Sequence, residues 1–300
     1  MKAIAVDDEL YMLEALEEAV NASLDIEQVE RFSSCSAALS YAEENPIDMP
    51  QGPSRAIAER LETQYREARK KYPDYNVPYL EIGNTAYVSF NSFALNHRDA
   101  SEYYGELPES DIERDTIALI IHAHRQITRE NSPIENVVLD MSGNTGGASS
   151  AAIFVMAWFL GETPFSLTSP ATGALSTSFC RADVNLDREF NDLDTVADKN
   201  LYCLVSPVSF SCGNLVPWVF KASGAVTLLG DTSGGGSCVV RLMSSAWGSL
   251  FSMSGTKRIS FVKNGSFYDV DRGVDPDVFL TRKESFYDRE KLTEFINALR

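Results

Sequence analysis

The stretch that decides the fold runs from Leu201 to Val240. It opens with the apolar segment Leu201-Tyr202-Cys203-Leu204-Val205 and passes into Ser206-Pro207-Val208-Ser209-Phe210-Ser211-Cys212-Gly213-Asn214. A helix pattern, a second apolar strand and the glycine turn Gly234-Gly235-Gly236 follow. Strand, sharp turn, small nucleophile and helix form a catalytic layout, because a hydroxyl in such a turn sits at the carboxyl edge of a sheet. The next backbone N–H then lies at a helix N-terminus, where unpaired donors and the dipole favour an oxyanion. Ser211 is the expected nucleophile and the Cys212 N–H one half of an oxyanion hole. A small-residue turn capping a helix is the structural alternative for Ser206, Ser209 and Ser211.

A second strand-to-helix corner lies upstream. Val137-Val138-Leu139-Asp140 leads through Met141-Ser142-Gly143-Asn144-Thr145-Gly146-Gly147 into the apolar helix pattern 148–160. Gly146 or Gly147 would supply the other oxyanion donor, since glycine lets backbone N–H groups approach a substrate carbonyl. The loop lacks both the G-x-G-x-x-G spacing and a P-loop lysine, which argues against a nucleotide site. The glycines Gly234, Gly235 and Gly236 are expected to let an extended substrate lie along a strand edge.

In order and motif, these segments resemble the C-terminal processing (tail-specific) peptidases. The resemblance rests on Val137–Asp140 with Gly-Asn-Thr-Gly-Gly, on the Phe-Ser-Cys-Gly turn, on Leu228-Leu229-Gly230-Asp231-Thr232-Ser233 with its glycines, and on Gly273-Val274-Asp275-Pro276-Asp277. It spans residues 79–300 and is closer to the tricorn-core and interphotoreceptor-retinoid-binding-protein-like branch. In the Ser/Lys branch a lysine base stands where this chain has Gly236. The resemblance implies an α/β fold of the Clp-protease/crotonase-like kind, a mixed sheet with flanking helices. It also implies a serine endopeptidase that hydrolyses polypeptides through an acyl-enzyme on Ser211, without a cofactor or metal. The alternative is a catalytically impaired peptide-binding module that keeps the groove but lacks the base.

The base is the missing piece. The tricorn-like branch brings a histidine from upstream of the core, in a motif this chain lacks, and the chain has only His97, His122 and His124. His122 and His124 fall within a helix pattern, His124 on its apolar face, so His97 in the polar segment after the Gly83-Asn84 hairpin is the candidate. Lys221 lies about 15 Å along its helix from Ser211, beyond hydrogen-bond reach. Asp275 stands where relatives often carry a glutamate, and an Asp-Pro turn also explains it. Cys212 could itself attack, as a thiol at a helix N-terminus.

Composition excludes several classes. The chain has 300 residues, 44% of them hydrophobic, enough for a large core. A formal net charge of −17 argues against nucleic acid and anionic membranes. The apolar run 151–160 is too short to span a bilayer, and the first residues meet Asp7-Asp8-Glu9 before a leader's apolar core can form, so the chain reads as cytoplasmic, although the relatives it resembles are commonly extracytoplasmic. Five cysteines without a C-x-x-C pair predict reduced thiols rather than a disulfide framework or a zinc site.

Residues 1–49 alternate strand and helix patterns as βαβα and resemble a truncated response-regulator receiver. A receiver needs about five βα units, and the breaker cluster Pro50-Gln51-Gly52-Pro53 intervenes where the phosphoacceptor strand should end. Phosphotransfer signalling is therefore not expected. Residues 50–76 read as a helical linker, with Ile57, Leu61, Tyr65 and Ala68 at helical spacing, and residues 77–300 as the peptidase-like core. The segment 111–130 reads as one helix capped by Ser110 or Asp111, 167–191 as a polar surface excursion, and Asn264-Gly265 as a tight hairpin turn.

Overall fold

The structure, a computed structural model, describes the strands Lys2–Val6 and Gln28–Phe32 and, with short gaps, residues 63–299. The chain forms two compact units, Met1–Gln64 and Tyr65–Arg300. In the first, β1 (Lys2–Val6) and β2 (Gln28–Phe32) pair in parallel, with Lys2 opposite Gln28. The receiver-like helices and the acidic corner of Asp7, Asp8 and Glu9 lie outside the described residues.

The second unit is built on a six-stranded sheet in the order β13-β9-β8-β5-β4-β3. Its strands are β3 (Tyr79–Ile82), β4 (Thr85–Ser89), β5 (Asn136–Asp140), β8 (Asn200–Val205), β9 (Val226–Gly230) and β13 (Val278–Phe279). All neighbours are parallel except β3 and β4, which form the hairpin expected from Gly83-Asn84. Continuous apolar runs such as Val137–Leu139 and Leu201–Val205 follow from burial on both faces, since side chains alternate along a strand. Val137, Leu139, Leu201, Cys203 and Leu228 pack beneath three helices, α1 (Thr116–Ile127), α2 (Ser149–Leu160) and α3 (Cys212–Ser223). Val138, Tyr202, Leu204 and Leu229 pack on the other face against Tyr65, Ala68, Phe286, Tyr287, Leu292 and Ile296. The last four belong to the C-terminal helices α4 (Glu284–Tyr287) and α5 (Arg289–Ala298). Tyr65 and Ala68, assigned to a linker by sequence, are thus buried parts of this unit.

A second, antiparallel sheet runs β10-β11-β6-β7, with β12 paired to β11. Its strands are β6 (Thr163–Ser169), β7 (Ala174–Cys180), β10 (Cys238–Ser244), β11 (Leu250–Lys263) and β12 (Ser266–Tyr268). The β6–β7 hairpin occupies much of the expected surface excursion, with Thr163 opposite Cys180. The β11–β12 hairpin turns at Asn264-Gly265 as its sequence predicts. The expected single helix over 111–130 is instead a short 3₁₀ turn, Glu109–Glu113, followed by α1. The α1 cap is Asp115, whose carboxylate accepts from the Ala118 N–H at 3.0 Å, rather than Ser110 or Asp111.

Candidate active site

The site lies where β5 and β8 end. These strands are parallel neighbours with Asp140 opposite Leu204, so the loops that follow them leave the same sheet edge side by side. Hydrogen bonds stitch the loops together. The Ser206 hydroxyl donates to the Ser142 carbonyl at 2.6 Å and the Ser209 hydroxyl to the Met141 carbonyl at 2.7 Å. The Phe210 N–H donates to the Asn144 carbonyl at 3.0 Å. Beneath them Asp140 accepts from the Ser142 N–H and hydroxyl and from Arg289 of α5 at 2.6 Å, a pair sealed from solvent.

Two of the three serines in the elbow are therefore structural. Ser211 differs. It occupies the N-cap of α3 at φ 57°, ψ −122°, its side chain makes no capping hydrogen bond, and it is partly exposed. That backbone region is costly for any residue with a Cβ and persists only where its surroundings hold it. Two bonds do so: the Ser211 N–H donates to the Gly235 carbonyl at 2.9 Å, and the Ser211 carbonyl accepts from Asn214 and Leu215.

The glycine loop comes close to this side chain. A Cβ on Gly146 would stand 2.7 Å from the Ser211 Cβ and 3.1 Å from its Oγ, so only glycine fits at this approach. The Gly146 N–H is already committed to the Asn144 side-chain oxygen at 2.9 Å, which removes it as an oxyanion donor. The Gly147 corner pairs with Phe93 through the Gly146 carbonyl and the Ala148 N–H. Among the described residues, the N–H groups of Gly147 and Cys212 are left without an acceptor.

Ser211 opens into a cavity of about 800 Å³. Gly147, Cys212 and Gly236 line it, with apolar walls from Phe165, Leu167, Val239 and Ile259 and polar groups from Lys257 and Asp271. Gly234 and Gly235 are not part of the lining. The Gly234 N–H donates to the Ser209 carbonyl and the Gly235 carbonyl accepts from Ser211, so those two groups are already spent within the elbow. Gly236 does face the cavity, and a Cβ on it would stand 2.3 Å from the Phe210 ring.

None of the histidines lines the cavity. His97 is held elsewhere by Asp111 at 2.8 Å and Glu102 at 3.2 Å, which occupy both ring nitrogens and raise its pKa, Glu102 contributing most. The expectation that His97 serves Ser211 as base therefore has no geometric basis. His122 stacks edge-on against Tyr79, and His124 is a core residue accepting from the Trp158 indole N–H at 3.2 Å. Burial lowers the pKa of both. Lys221 is tied to the Asp275 carbonyl and the Asp277 carboxylate, and Asp275 accepts from the Thr232 hydroxyl, so both are structural. The Cys212 thiol donates to the Gly147 carbonyl, and burial pushes it up to about 11, an unreactive thiol at neutral pH. Lys257 and Asp271 were missed from sequence. Neither sits in a motif, and only the folding of β11 and the segment after β12 carries them to the cavity.

The sequence profile of Peptidase family S41 matches residues 84–280. No curated protein sequence matches the chain. Among solved structures, it is similar to a lipoprotein from Streptococcus agalactiae at 15% identity and TM-score 0.50, over 88% of this chain and 94% of that one. It is also similar to a putative S41 protease from Bacteroides fragilis at 11% identity and TM-score 0.50, over 74% and 57%. A third similarity is to the photosystem II D1 C-terminal processing protease, at 17% identity and TM-score 0.46 over 68% of this chain and 45% of that one. The chain thus spans about half the length of the two proteases, and at these identities the structural likeness is one of fold. No helix among the described residues is long and apolar enough to cross a membrane. With its profile match covering two thirds of the sequence and containing both glycine-loop corners, the chain belongs to Peptidase family S41.

Proposed function

We propose that the protein is a serine endopeptidase of the C-terminal processing type, with Ser211 as nucleophile and the N–H groups of Cys212 and Gly147 as oxyanion donors. One observation carries this reading: Ser211, whose hydroxyl neither caps the helix nor ties the two loops together as those of Ser206 and Ser209 do, stands on strained backbone at a helix start, beside two N–H groups that have no acceptor among the described residues. Attack by its Oγ on a peptide carbonyl would place the developing negative charge where those donors and the α3 dipole favour it. Among the described residues β10 ends the second sheet, and its residues 238–240 line the cavity, which supports an extended polypeptide as substrate. The apolar walls suit an aliphatic side chain next to the cleaved bond.

The test is covalent labelling with a fluorophosphonate, followed by mapping of the adduct. Modification of Ser211 that disappears in Ser211→Ala is the expected result. An adduct elsewhere, or none on folded protein, refutes the reading.

A second reading is a peptide-binding module without turnover. It is favoured by the Phe210 ring over Gly236, which fills the space a base at that position would need, and by the absence of any imidazole among the cavity residues. Binding of extended peptides with an unlabelled Ser211 would select it.

A further inference from the structure

The connection from β7 to β8 contains Asp183-Val184-Asn185-Leu186-Asp187-Arg188-Glu189-Phe190-Asn191-Asp192-Leu193-Asp194, which reads D-x-N-x-D-x-E-x-N-x-x-D. Oxygen-bearing side chains thus fall at the first, third, fifth, seventh, ninth and twelfth places, the spacing by which an EF-hand loop surrounds calcium. Five carboxylates share the segment with one cation, Arg188. Spacing and acidity alone would describe a solvated loop. A buried oxygen sets this one apart: Asp183 is 6% exposed, and its Oδ1 is sealed from solvent with no hydrogen-bond partner among the described residues. A carboxylate oxygen left in that state is costly unless a cation faces it.

The backbone closes round that carboxylate. The Arg188 N–H donates to Asp183 Oδ2 at 2.8 Å, which sets the carboxylate inside the turn, and the Tyr104 hydroxyl donates to the same oxygen at 2.7 Å. The Asn185 and Asp187 side chains accept from the N–H groups two residues on, those of Asp187 and Glu189, at 2.9 and 2.8 Å, so both fold back along the loop. Leu186 and Arg188 stand at φ 67° and 69°, left-handed backbone of the kind an EF-hand obtains from glycine at its sixth place. Asp194 Oδ1 accepts from the Val184 and Asn185 N–H groups at 2.7 and 3.2 Å, and Oδ2 from the Asn191 N–H at 3.0 Å, which draws the twelfth residue onto the first three. No three carboxylate, imidazole or thiol side chains among the described residues already stand as a metal-holding group. Here an amide oxygen and a backbone carbonyl join the carboxylates, and the exposed Asp187, whose Oδ2 is held by the Asn185 amide at 2.9 Å, has to turn toward Asp183.

We infer that residues 183–194 form a calcium site, with Asp183 Oδ1, Asn185 Oδ1, Asp187, the Glu189 carbonyl and Asp194 as ligands and water completing a shell of about six to eight oxygens. The donors choose the ion. All are hard oxygens, and a loop of this kind suits the irregular shell of calcium better than the strict octahedron of magnesium. Asp194 has one lone pair left on Oδ2 and lacks the reach of the bidentate glutamate usual at the twelfth place, so the affinity falls at the weak end, with a Kd of about 10⁻⁵–10⁻³ M. The site is independent of the role of Ser211. It ties several elements together: Val184 and Val196 pack in the main core on either side of the loop, the Val196 N–H donates to the Trp158 carbonyl of α2 at 3.1 Å, and Tyr104 belongs to the 3₁₀ turn Ala100–Tyr104. Calcium there fixes the chain just before it enters β8, the strand that leads into the elbow.

The experiment strips the full chain with a chelator and titrates it with calcium chloride, then with magnesium chloride, by calorimetry in about 0.1 M salt, which screens the general negative charge. Wild type, Asp183→Asn, Asp187→Ala and Asp192→Ala are compared, with circular dichroism to check folding. Wild type should bind one calcium, bind magnesium at least about tenfold more weakly, and unfold at a higher temperature as calcium is added. Asp183→Asn and Asp187→Ala should each weaken calcium binding by about tenfold or more. Asp192→Ala removes the same charge from the tenth place, which supplies no ligand, and should stay within about threefold of wild type. Should Asp183→Asn fail to fold, the exposed Asp187 carries the comparison. The inference is overturned by a folded wild type without saturable binding up to about 10 mM calcium. It is equally overturned by magnesium binding as tight as calcium, by Asp187→Ala binding like wild type, or by equal losses in Asp187→Ala and Asp192→Ala, which would report charge rather than ligation.

Discussion

Replacing Ser211 by glycine and by alanine should reveal how much strain the elbow holds. Both substitutions remove the hydroxyl, so they differ only in the Cβ and in backbone freedom. At φ 57° and ψ −122° a Cβ costs roughly 1–3 kcal/mol, the range for residues held in sparsely populated regions. Glycine relieves that cost but loses about 0.5–1 kcal/mol through its greater freedom in the unfolded chain. At the middle of these ranges the balance leaves Ser211→Gly more stable than Ser211→Ala by about 1.3 kcal/mol, the reverse of the usual order. The measurement is urea unfolding followed by tryptophan fluorescence, since Trp158 is buried in the core. With a slope near 3 kcal/mol/M the two midpoints should differ by about 0.4 M, at equal slopes. A midpoint for the glycine variant equal to or below that of the alanine variant would show that the elbow is not strained, and would remove the main physical reason for singling out Ser211.

Three further outcomes are expected. Truncating Arg289 to Met leaves the buried Asp140 carboxylate without its cation and should cost about 3–5 kcal/mol, with partial recovery in the Asp140→Asn, Arg289→Met double variant; a loss below about 1 kcal/mol would mean the pair does not hold the loop that follows β5. Iodoacetamide at pH 8 should spare Cys212, whose thiol titrates near 11 because of burial, and alkylation mapped by mass spectrometry checks this. His97, raised in the folded state by Glu102 and Asp111, contributes stability fully present below the ordinary imidazole pKa of about 6.5 and lost as pH rises through its raised value. The stability gap between wild type and His97→Gln should therefore be wide at pH 5.5 and narrow at pH 9, and a gap independent of pH would remove the ion pairs from the account.

Much of this protein could be read from local pattern. Apolar runs bounded by glycine loops marked β5 and β8, because a strand buried on both faces must be apolar throughout. Gly83-Asn84 and Asn264-Gly265 marked their hairpins, because so few residues accept those turns. The same patterns placed Ser211 and the Gly146-Gly147 corner at strand-to-helix junctions. What they could not decide was which hydrogen bonds those groups would already have spent. Gly146 gives its N–H to the Asn144 side chain, Gly234 its N–H and Gly235 its carbonyl to the elbow, and His97 both ring nitrogens to Glu102 and Asp111, carboxylates from two separate 3₁₀ turns. Each is a pairing between residues whose meeting depends on the path of the whole chain. The arrival of Lys257 and Asp271 at the cavity is of the same kind, set by a bulge and by sheet pairing that leave no mark in residue type or spacing. Local sequence determined β5, β8, the two hairpin turns and the place of Ser211 at a strand-to-helix junction. Only the tertiary structure decided which donors are left without an acceptor among the described residues around it and which side chains line the cavity with it, because those are properties of contacts rather than of residues.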